Sequence, residues 1–157
     1  MRWDDLNWER RYSKWPAYGQ SKLANLLFTF ELQRRAHHAG SNVLVTAAHP
    51  GYAATHLQAA GPEMAGSALM IRAMGIANGI LAQSDEMGAL PTLYAATMDV
   101  APGAYVGPDG PFEGRGHPKL VGTASAARDA AAQRRLWEAS EELTGIRFAF
   151  EDVAQPA

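Results

Sequence analysis

Cysteine is absent from this sequence of 157 residues, which also has no long apolar run and little net charge. Without cysteine there is neither a disulfide framework nor thiolate chemistry, and a reducing cytoplasm is the expected location. The least polar window, residues 64–82, is interrupted by Arg72, Asn78 and several glycines, so we expect no membrane span. The net charge of -2 favours a small molecule or a protein over nucleic acid as the partner. With 47% hydrophobic and 19% charged residues, the composition is that of one globular domain over residues 1–157.

Three helices are predicted from apolar periodicity and from residues that begin or end helices. The first begins near Pro16, which a first helical turn tolerates, and runs to about His38, where Gly40 ends it. Ser84 can cap a second helix that continues through "GALPTLYAATM". The third, "SAARDAAAQRRLWEASEELTG", is amphipathic and is stopped by Gly145.

Two strands are predicted between these helices. The run "NVLVTAAHPG", residues 42–51, is apolar and β-branched, and we expect a parallel strand that is buried on both faces. "GAYVG", residues 103–107, is the second short strand, and the turn-rich "PDGPFEGRGHPK" follows it as a loop. The order helix, strand, helix, strand, helix indicates an α/β layer structure with a parallel sheet.

Tyr18 and Lys22 stand four residues apart near the start of the first helix, so both side chains lie on one helical face. A free phenol has a pKa of about 10, and a nearby ammonium group lowers it toward the working range of an acid or base. The pair is therefore a candidate proton-transfer device. The same spacing also occurs by chance on surface helices, so the pair alone leaves both interpretations open.

The neighbouring sequence adds several motifs in a fixed order. "AYGQSKLANLLFTFEL" contains Tyr-x-x-x-Lys, a predicted strand ends in "HPGYAAT", and "LWEASEELTG" comes late in the chain. Together these motifs resemble the second half of a short-chain dehydrogenase/reductase and are most similar to its retinol dehydrogenase-like branch. The resemblance implies the carboxyl-terminal part of a Rossmann-like, doubly wound parallel sheet, incomplete here because the dinucleotide-binding half is absent.

The resemblance also implies roles for individual residues. Tyr18 would exchange a proton with the carbonyl or alcohol oxygen, and Lys22 would support Tyr18 and bind the nicotinamide ribose of NAD or NADP. Pro50 and Gly51 would bring the backbone close to the nicotinamide, and Thr55 would bind its carboxamide or the pyrophosphate. Residues 56–83 match the variable substrate-binding segment of the family, and their Leu, Met and Ile content suggests a lipophilic carbonyl or alcohol substrate.

Other parts of the family pattern have no counterpart in this sequence. No Gly-rich turn of the type G-x-G-x-x-G opens the chain, and neither the catalytic Ser nor the Asn before the Tyr helix has a matching position. Three interpretations follow. The chain is a fragment of a longer NAD(P)-dependent oxidoreductase, it is completed by a separate amino-terminal half, or it is a non-catalytic module that binds a partner or forms a homo-oligomer.

Two histidines near the predicted strand end are further candidates. His49 precedes the Pro-Gly pair and either touches substrate or packs. His49 and His56 lack the cysteine or clustered carboxylates that would complete a metal site, so none is predicted.

Overall fold

Three helices and one three-stranded sheet form the part of the chain that this computed structural model describes, residues 1–51 and 83–148. The helices are α1 (Lys14–His38), α2 (Asp85–Thr97) and α3 (Ala130–Thr144), and the strands are β1 (Ala47–Ala48), β2 (Tyr105–Pro108) and β3 (Pro118–Leu120). Short 3₁₀ turns occupy Pro111–Glu113 and Ser125–Arg128. The contacts divide the chain into two compact units, Met1–Thr46 with Thr123–Ala157, and Ala47–Gly122. A single domain over residues 1–157 stays a prediction.

Helix α1 begins and ends where the sequence predicts. Pro16 lies in its first turn, where the missing N–H would have no helical partner. At the other end Gly40 has a φ of +66°, and Ser41 donates its backbone N–H to the carbonyl of Ala36. This left-handed glycine with a bond back to the last turn is the Schellman ending of a helix.

The first unit is built by packing α1 on α3. Leu27 and Ala36 of α1 are fully buried, and Leu136 and Trp137 of α3 are buried almost completely. Phe28 stacks on Trp137 with ring centroids 5.3 Å apart. These contacts remove the buried apolar side chains of both helices from water, and such burial is the main source of stability for packed helices.

A buried carboxylate lies in the same interface. Glu31 is fully buried and accepts hydrogen bonds from Arg34, at 2.6 and 2.8 Å, and from Arg35, at 2.8 Å. Arg35 also lies over the Trp137 ring, 4.5 Å from its centroid. Burial is the largest influence on the pKa of Glu31 and acts to raise it, but the hydrogen bonds and charges of the two arginines together outweigh it and hold the pKa below its usual range.

Helix α3 starts later than the sequence pattern predicts. The Asp129 side chain accepts hydrogen bonds from the backbone N–H groups of Ala131 and Ala132, so Asp129 caps the helix and the residues before it form a separate 3₁₀ turn. The buried Gln133 binds the Ala127 carbonyl across this junction at 2.8 Å. Gly145, with a φ of +69°, ends the helix as predicted.

The second unit contains the sheet, with β2 between β1 and β3. Helix α2 is capped by Ser84, as predicted, and turns the buried residues Gly88, Pro91 and Ala95 inward at a helical spacing. Val106 of β2 is fully buried. The α/β class predicted from the sequence is therefore confirmed.

The strand predicted over residues 42–51 is much shorter than expected and is not buried on both faces. Only Ala47 and Ala48 pair with β2, in the parallel orientation that was predicted. Val43 and Leu44 are 59% and 46% exposed, and the N–H of Val45 binds the side chain of Gln33 instead of a strand. Val43 and Leu44 have no strand partner among the described residues, and their apolar side chains remain exposed.

The sheet is mixed because of a strand that the sequence does not reveal. β3 pairs antiparallel with β2, with Val106 opposite Leu120 and Pro108 opposite Pro118. The chain reverses between them through residues 109–117, where the N–H of Asp109 binds the carbonyl of His117 at 2.8 Å. The Gly and Pro content of this stretch predicts a loop. The structure instead shows that the stretch connects the two strands of a hairpin, and the second strand has only three residues.

We expect Glu31→Gln to lower the free energy of unfolding by about 1–3 kcal/mol, because the hydrogen bonds from two arginines to a buried charge are lost or weakened. Glu138→Gln on the exposed face of α3 is the matched control, with an expected change within about 0.5 kcal/mol. Urea unfolding followed by circular dichroism measures both. A loss no larger than that of the control would contradict the structural role of Glu31.

The pH dependence follows from the lowered pKa of Glu31. Because the folded pKa lies below the ordinary value of 4.5, the stabilisation is complete above that value and is lost as the pH falls through the folded pKa. The difference in free energy of unfolding between wild type and Glu31→Gln should therefore shrink below about pH 4.5. Repeating the urea titrations at pH 7 and pH 3 tests this, and a constant difference would contradict it.

Candidate active site

The Tyr18 and Lys22 side chains are brought together on the exposed face of α1. The Lys22 ammonium group lies 5.2 Å from the centroid of the Tyr18 ring, and Tyr18 is 52% exposed. Lys22 forms no ion pair with any residue that the structure describes. Both polar groups are thus available to a ligand.

The packing of α1 explains why this face points outward. Leu27 and Glu31, both fully buried, follow Tyr18 and Lys22 by nine residues each. Nine residues are about two and a half helical turns, so each buried residue lies on the side of the helix opposite its counterpart. The contacts that bury Leu27 and Glu31 therefore direct the Tyr–Lys pair away from α3.

An open hollow of about 370 Å³ adjoins Tyr18, and we call it the aromatic hollow. Its lining consists of Tyr12, Lys14, Trp15, Ala17, Tyr18 and Ser21. Tyr12 and Trp15 are 72% and 74% exposed. The hollow therefore presents the aromatic faces of Tyr12 and Trp15 beside the Tyr18 phenol and the Lys14 ammonium group.

Pro50 and Gly51 form a corner directly after β1 in the second unit. Gly51 has a φ of +66°, and a Cβ atom there would lie 2.5 Å from the Gly114 carbonyl oxygen and 2.7 Å from Cγ of Pro108. A side chain at this position is excluded both by the backbone conformation and by the loop of residues 109–117. The sequence resemblance explains Gly51 by the approach of a nicotinamide, and the packing of this loop is an additional reason for it.

Gln83 connects the corner to the loop of residues 109–117. Its amide nitrogen donates to the Pro50 carbonyl at 2.7 Å, and its amide oxygen accepts from the N–H of Gly116 at 2.9 Å. The residue is 8% exposed. The sequence places Gln83 only at the end of a variable segment, because no local pattern marks a side chain whose partners are 33 residues away on either side.

His49 packs within the second unit. Its Nδ1 accepts from the N–H of Gly51 at 3.3 Å, and its Nε2 is 3.3 Å from Oε2 of Glu113 without hydrogen-bond alignment. Its ring centroid is 5.1 Å from that of Tyr105. Burial, and to a lesser extent the negative charge of Glu113, raise the pKa of Tyr105 above its usual range, so its hydroxyl stays protonated.

The remaining predictions concern Thr55, the substrate segment, a metal site and a membrane span. Thr55 and nearly all of the predicted substrate segment, residues 56–83, lie outside the described residues. In the described ranges, no cluster of three or more His, Asp or Glu side chains is placed to hold a metal ion. The helices described there include none that combines the length and the apolar character needed to cross a bilayer.

Comparison of the sequence with those of known proteins finds similar dehydrogenases. No protein-family model matches the chain. Retinol dehydrogenase 13 of Homo sapiens is 40% identical over 148 residues, which are 91% of this chain and 41% of that protein. Retinol dehydrogenase 14 of Homo sapiens is 32% identical over 93% of this chain and 40% of its own length. The polyprenol dehydrogenase of Mus musculus is 34% identical over 90% of this chain and 39% of its own length.

A solved structure is similar in both sequence and fold. The crystal structure of an uncharacterized protein from Mycobacterium paratuberculosis matches with a TM-score of 0.71 and 41% identity, covering 95% of this chain and 46% of the other. The chain thus spans about two fifths of the length of the curated relatives that it matches.

The requirement for glycine at the corner can be tested against a glycine of the same conformation. Gly40 also has a φ of +66°, but a Cβ atom added there would meet nothing within 4 Å, whereas at Gly51 it would meet two carbonyl oxygens and a proline ring. We expect Gly40→Ala to lower the free energy of unfolding by about 1 kcal/mol and Gly51→Ala by at least about 2 kcal/mol more. Urea unfolding measures both variants. Equal losses would show that the loop does not pack on Gly51.

Proposed function

From the premise that this chain belongs by sequence to the retinol dehydrogenase-like branch of the short-chain dehydrogenase/reductases, we propose that it carries the Tyr–Lys part of an NAD(P)-dependent oxidoreductase that interconverts a carbonyl and an alcohol. The observation that carries the proposal is the exposed pair on α1, with the Lys22 ammonium 5.2 Å from the Tyr18 ring. The buried face of the same helix holds that pair in place.

Tyr18 is the acid and base of the proposed reaction. Its hydroxyl gives a proton to the carbonyl oxygen during reduction and takes one from the alcohol during oxidation. The Lys22 ammonium group lies one helical turn away, 5.2 Å from the centroid of the Tyr18 ring. A bound nicotinamide nucleotide would supply or accept the hydride.

The proposed cofactor-binding residues have hydrogen-bonding groups and backbone positions that suit a nicotinamide nucleotide. The Lys22 ammonium offers donors suited to ribose hydroxyl oxygens and is not engaged by a carboxylate among the described residues. Pro50 and Gly51 follow a parallel strand, and ligands of α/β sheets bind beyond the carboxyl ends of such strands. Thr55 is a further proposed contact, and the choice between NAD and NADP stays open.

The proposed substrate is a small lipophilic carbonyl or alcohol. The aromatic hollow beside Tyr18 offers the faces of Tyr12 and Trp15 to an apolar chain or ring. The names of the relatives, which are retinol and polyprenol dehydrogenases, refer to lipophilic alcohols. Residues 56–83 are the proposed remainder of the substrate site.

A second function is favoured by the same exposed aromatic side chains. Tyr12, Trp15 and Phe28, which are 72%, 74% and 42% exposed, would suit a module that binds a partner or forms a homo-oligomer without catalysis. Because the chain spans about two fifths of its relatives, turnover by these 157 residues alone is not required by the enzyme proposal. A cytoplasmic location stays a prediction.

We expect Tyr18→Phe to lower kcat for NAD(P)H-dependent reduction of a lipophilic aldehyde by about 100-fold or more, because only the proton donor is removed. The assay uses the full-length polypeptide that contains these residues and follows the loss of nicotinamide absorbance. Nucleotide affinity, measured by nicotinamide fluorescence, should change little.

Tyr94→Phe on α2 is the matched control, since it removes the same atom from a half-buried tyrosine that has no proposed role in the reaction. Unchanged turnover in Tyr18→Phe would remove Tyr18 from the mechanism. A folded wild-type protein that self-associates in sedimentation but binds neither NADPH nor NADH would favour the module over the enzyme.

A further inference from the structure

The corner at Pro50 and Gly51 leaves backbone groups without strand partners, and side chains satisfy them. The Pro50 carbonyl accepts from the Gln83 amide at 2.7 Å, and the Gly51 N–H donates to Nδ1 of His49 at 3.3 Å. Both bonds are partly buried, and they tie the backbone of the corner to these two side chains.

The amide of Gln83 is suited to this position because it both donates and accepts. Its nitrogen serves Pro50 while its oxygen serves the N–H of Gly116, and the side chain is 8% exposed. A carboxylate of the same shape could still accept from Gly116 but could not donate to the Pro50 carbonyl. One buried side chain thereby joins the corner to the loop of residues 109–117.

The His49 ring is held in one orientation. Nδ1 accepts the N–H of Gly51 at 3.3 Å, and Nε2 lies 3.3 Å from Oε2 of Glu113. One face of the ring meets Tyr105, and the ring lies so close to Gly107 that no side chain could be added there. The ring is therefore packed between Tyr105 and the backbone of β2 at Gly107.

The loop of residues 109–117, which contacts the corner, has a hydrogen bond of its own and two unusual backbone conformations. Asp109 accepts the N–H of His117 at 2.9 Å, and both Phe112 and Glu113 adopt a φ of +53°, which is rare for residues other than glycine. The surrounding structure must hold such a conformation in place. The carbonyl groups of Glu113 and Gly114 from this loop occupy the space that a side chain at position 51 would need.

We propose that Gln83 and His49 are positioning residues that fix the Pro50–Gly51 corner in the shape that receives the nicotinamide part of the nucleotide. The proposal rests on the proposed function for the role of the corner. It adds two residues, one before the substrate segment and one at its last position, that contact the corner backbone and not the reacting atoms.

The test measures nucleotide binding in the full-length polypeptide that contains these residues. We expect Gln83→Glu to raise the dissociation constant of NADPH or NADH at least tenfold. Gln33→Glu is the matched control and should stay within twofold, since Gln33 uses its side-chain oxygen to accept the Val45 N–H and a carboxylate can do the same. The KM for the nucleotide should rise with the dissociation constant, while kcat at saturation changes less than threefold.

His49 is tested by a pair of variants. His49→Leu removes the acceptor for the Gly51 N–H and should weaken nucleotide binding at least tenfold. His49→Asn can restore an acceptor two residues before that N–H, as in an Asx turn, and should recover most of the affinity. Amide hydrogen exchange at Gly51 reports the corner directly and should be fast in the Leu variant and slow in the Asn variant.

The outcomes separate this proposal from the function on which it rests. Wild-type protein that binds a nicotinamide nucleotide, with Gln83→Glu and His49→Leu binding equally well, would overturn the positioning role alone. Folded wild-type protein that binds neither nucleotide would overturn the proposed function, and the positioning role would be overturned with it. A Gln83→Glu protein that fails to fold leaves the His49 pair to decide the question.

Discussion

The buried carboxylate of Glu31 is the constraint on which the first unit depends. A fully buried charge is tolerated only when it is paired and hydrogen-bonded, and here two arginines from the next turn supply three short bonds. The ion cluster lies entirely on α1 and contacts α3 through Arg35, which covers the Trp137 ring. Tyr18 and Lys22 lie on the opposite face of α1 from the buried Leu27 and Glu31, so the packed face leaves the proposed chemical groups exposed.

In the second unit, an irregular backbone corner follows a very short strand. β1 has only two paired residues, and its backbone bonding to β2 ends with the His49 N–H, which donates to the Val106 carbonyl at 2.9 Å. Beyond that bond, Pro50 and Gly51 are contacted by the side chains of Gln83 and His49 and by the loop of residues 109–117. The shape of the proposed nucleotide-binding corner then depends on the side chains behind it.

The sequence predicts those features that local chemistry decides. Pro16, Gly40 and Gly145 mark helix ends because each has a conformational property that acts within a few residues. The Tyr18–Lys22 pair is visible in the sequence because four residues make about one helical turn. The predicted burial of residues 42–51 was wrong because strand burial depends on neighbouring layers, and β3 was missed because three residues carry too short a pattern. Gln83 could not be found, since both of its partners are distant in sequence.

The charge of Lys22 bears on which function the exposed face of α1 serves. Trp15 and Tyr12 could be covered by a partner protein at a gain in free energy, but covering Lys22 would remove an ammonium group from water. No described residue offers it a carboxylate, so a dry protein interface would have to bring one. A nucleotide ribose and a substrate oxygen supply neutral acceptors and leave the site partly hydrated. The uncompensated cation beside the Tyr18 ring therefore favours the proposed small polar-headed ligand over a packed interface.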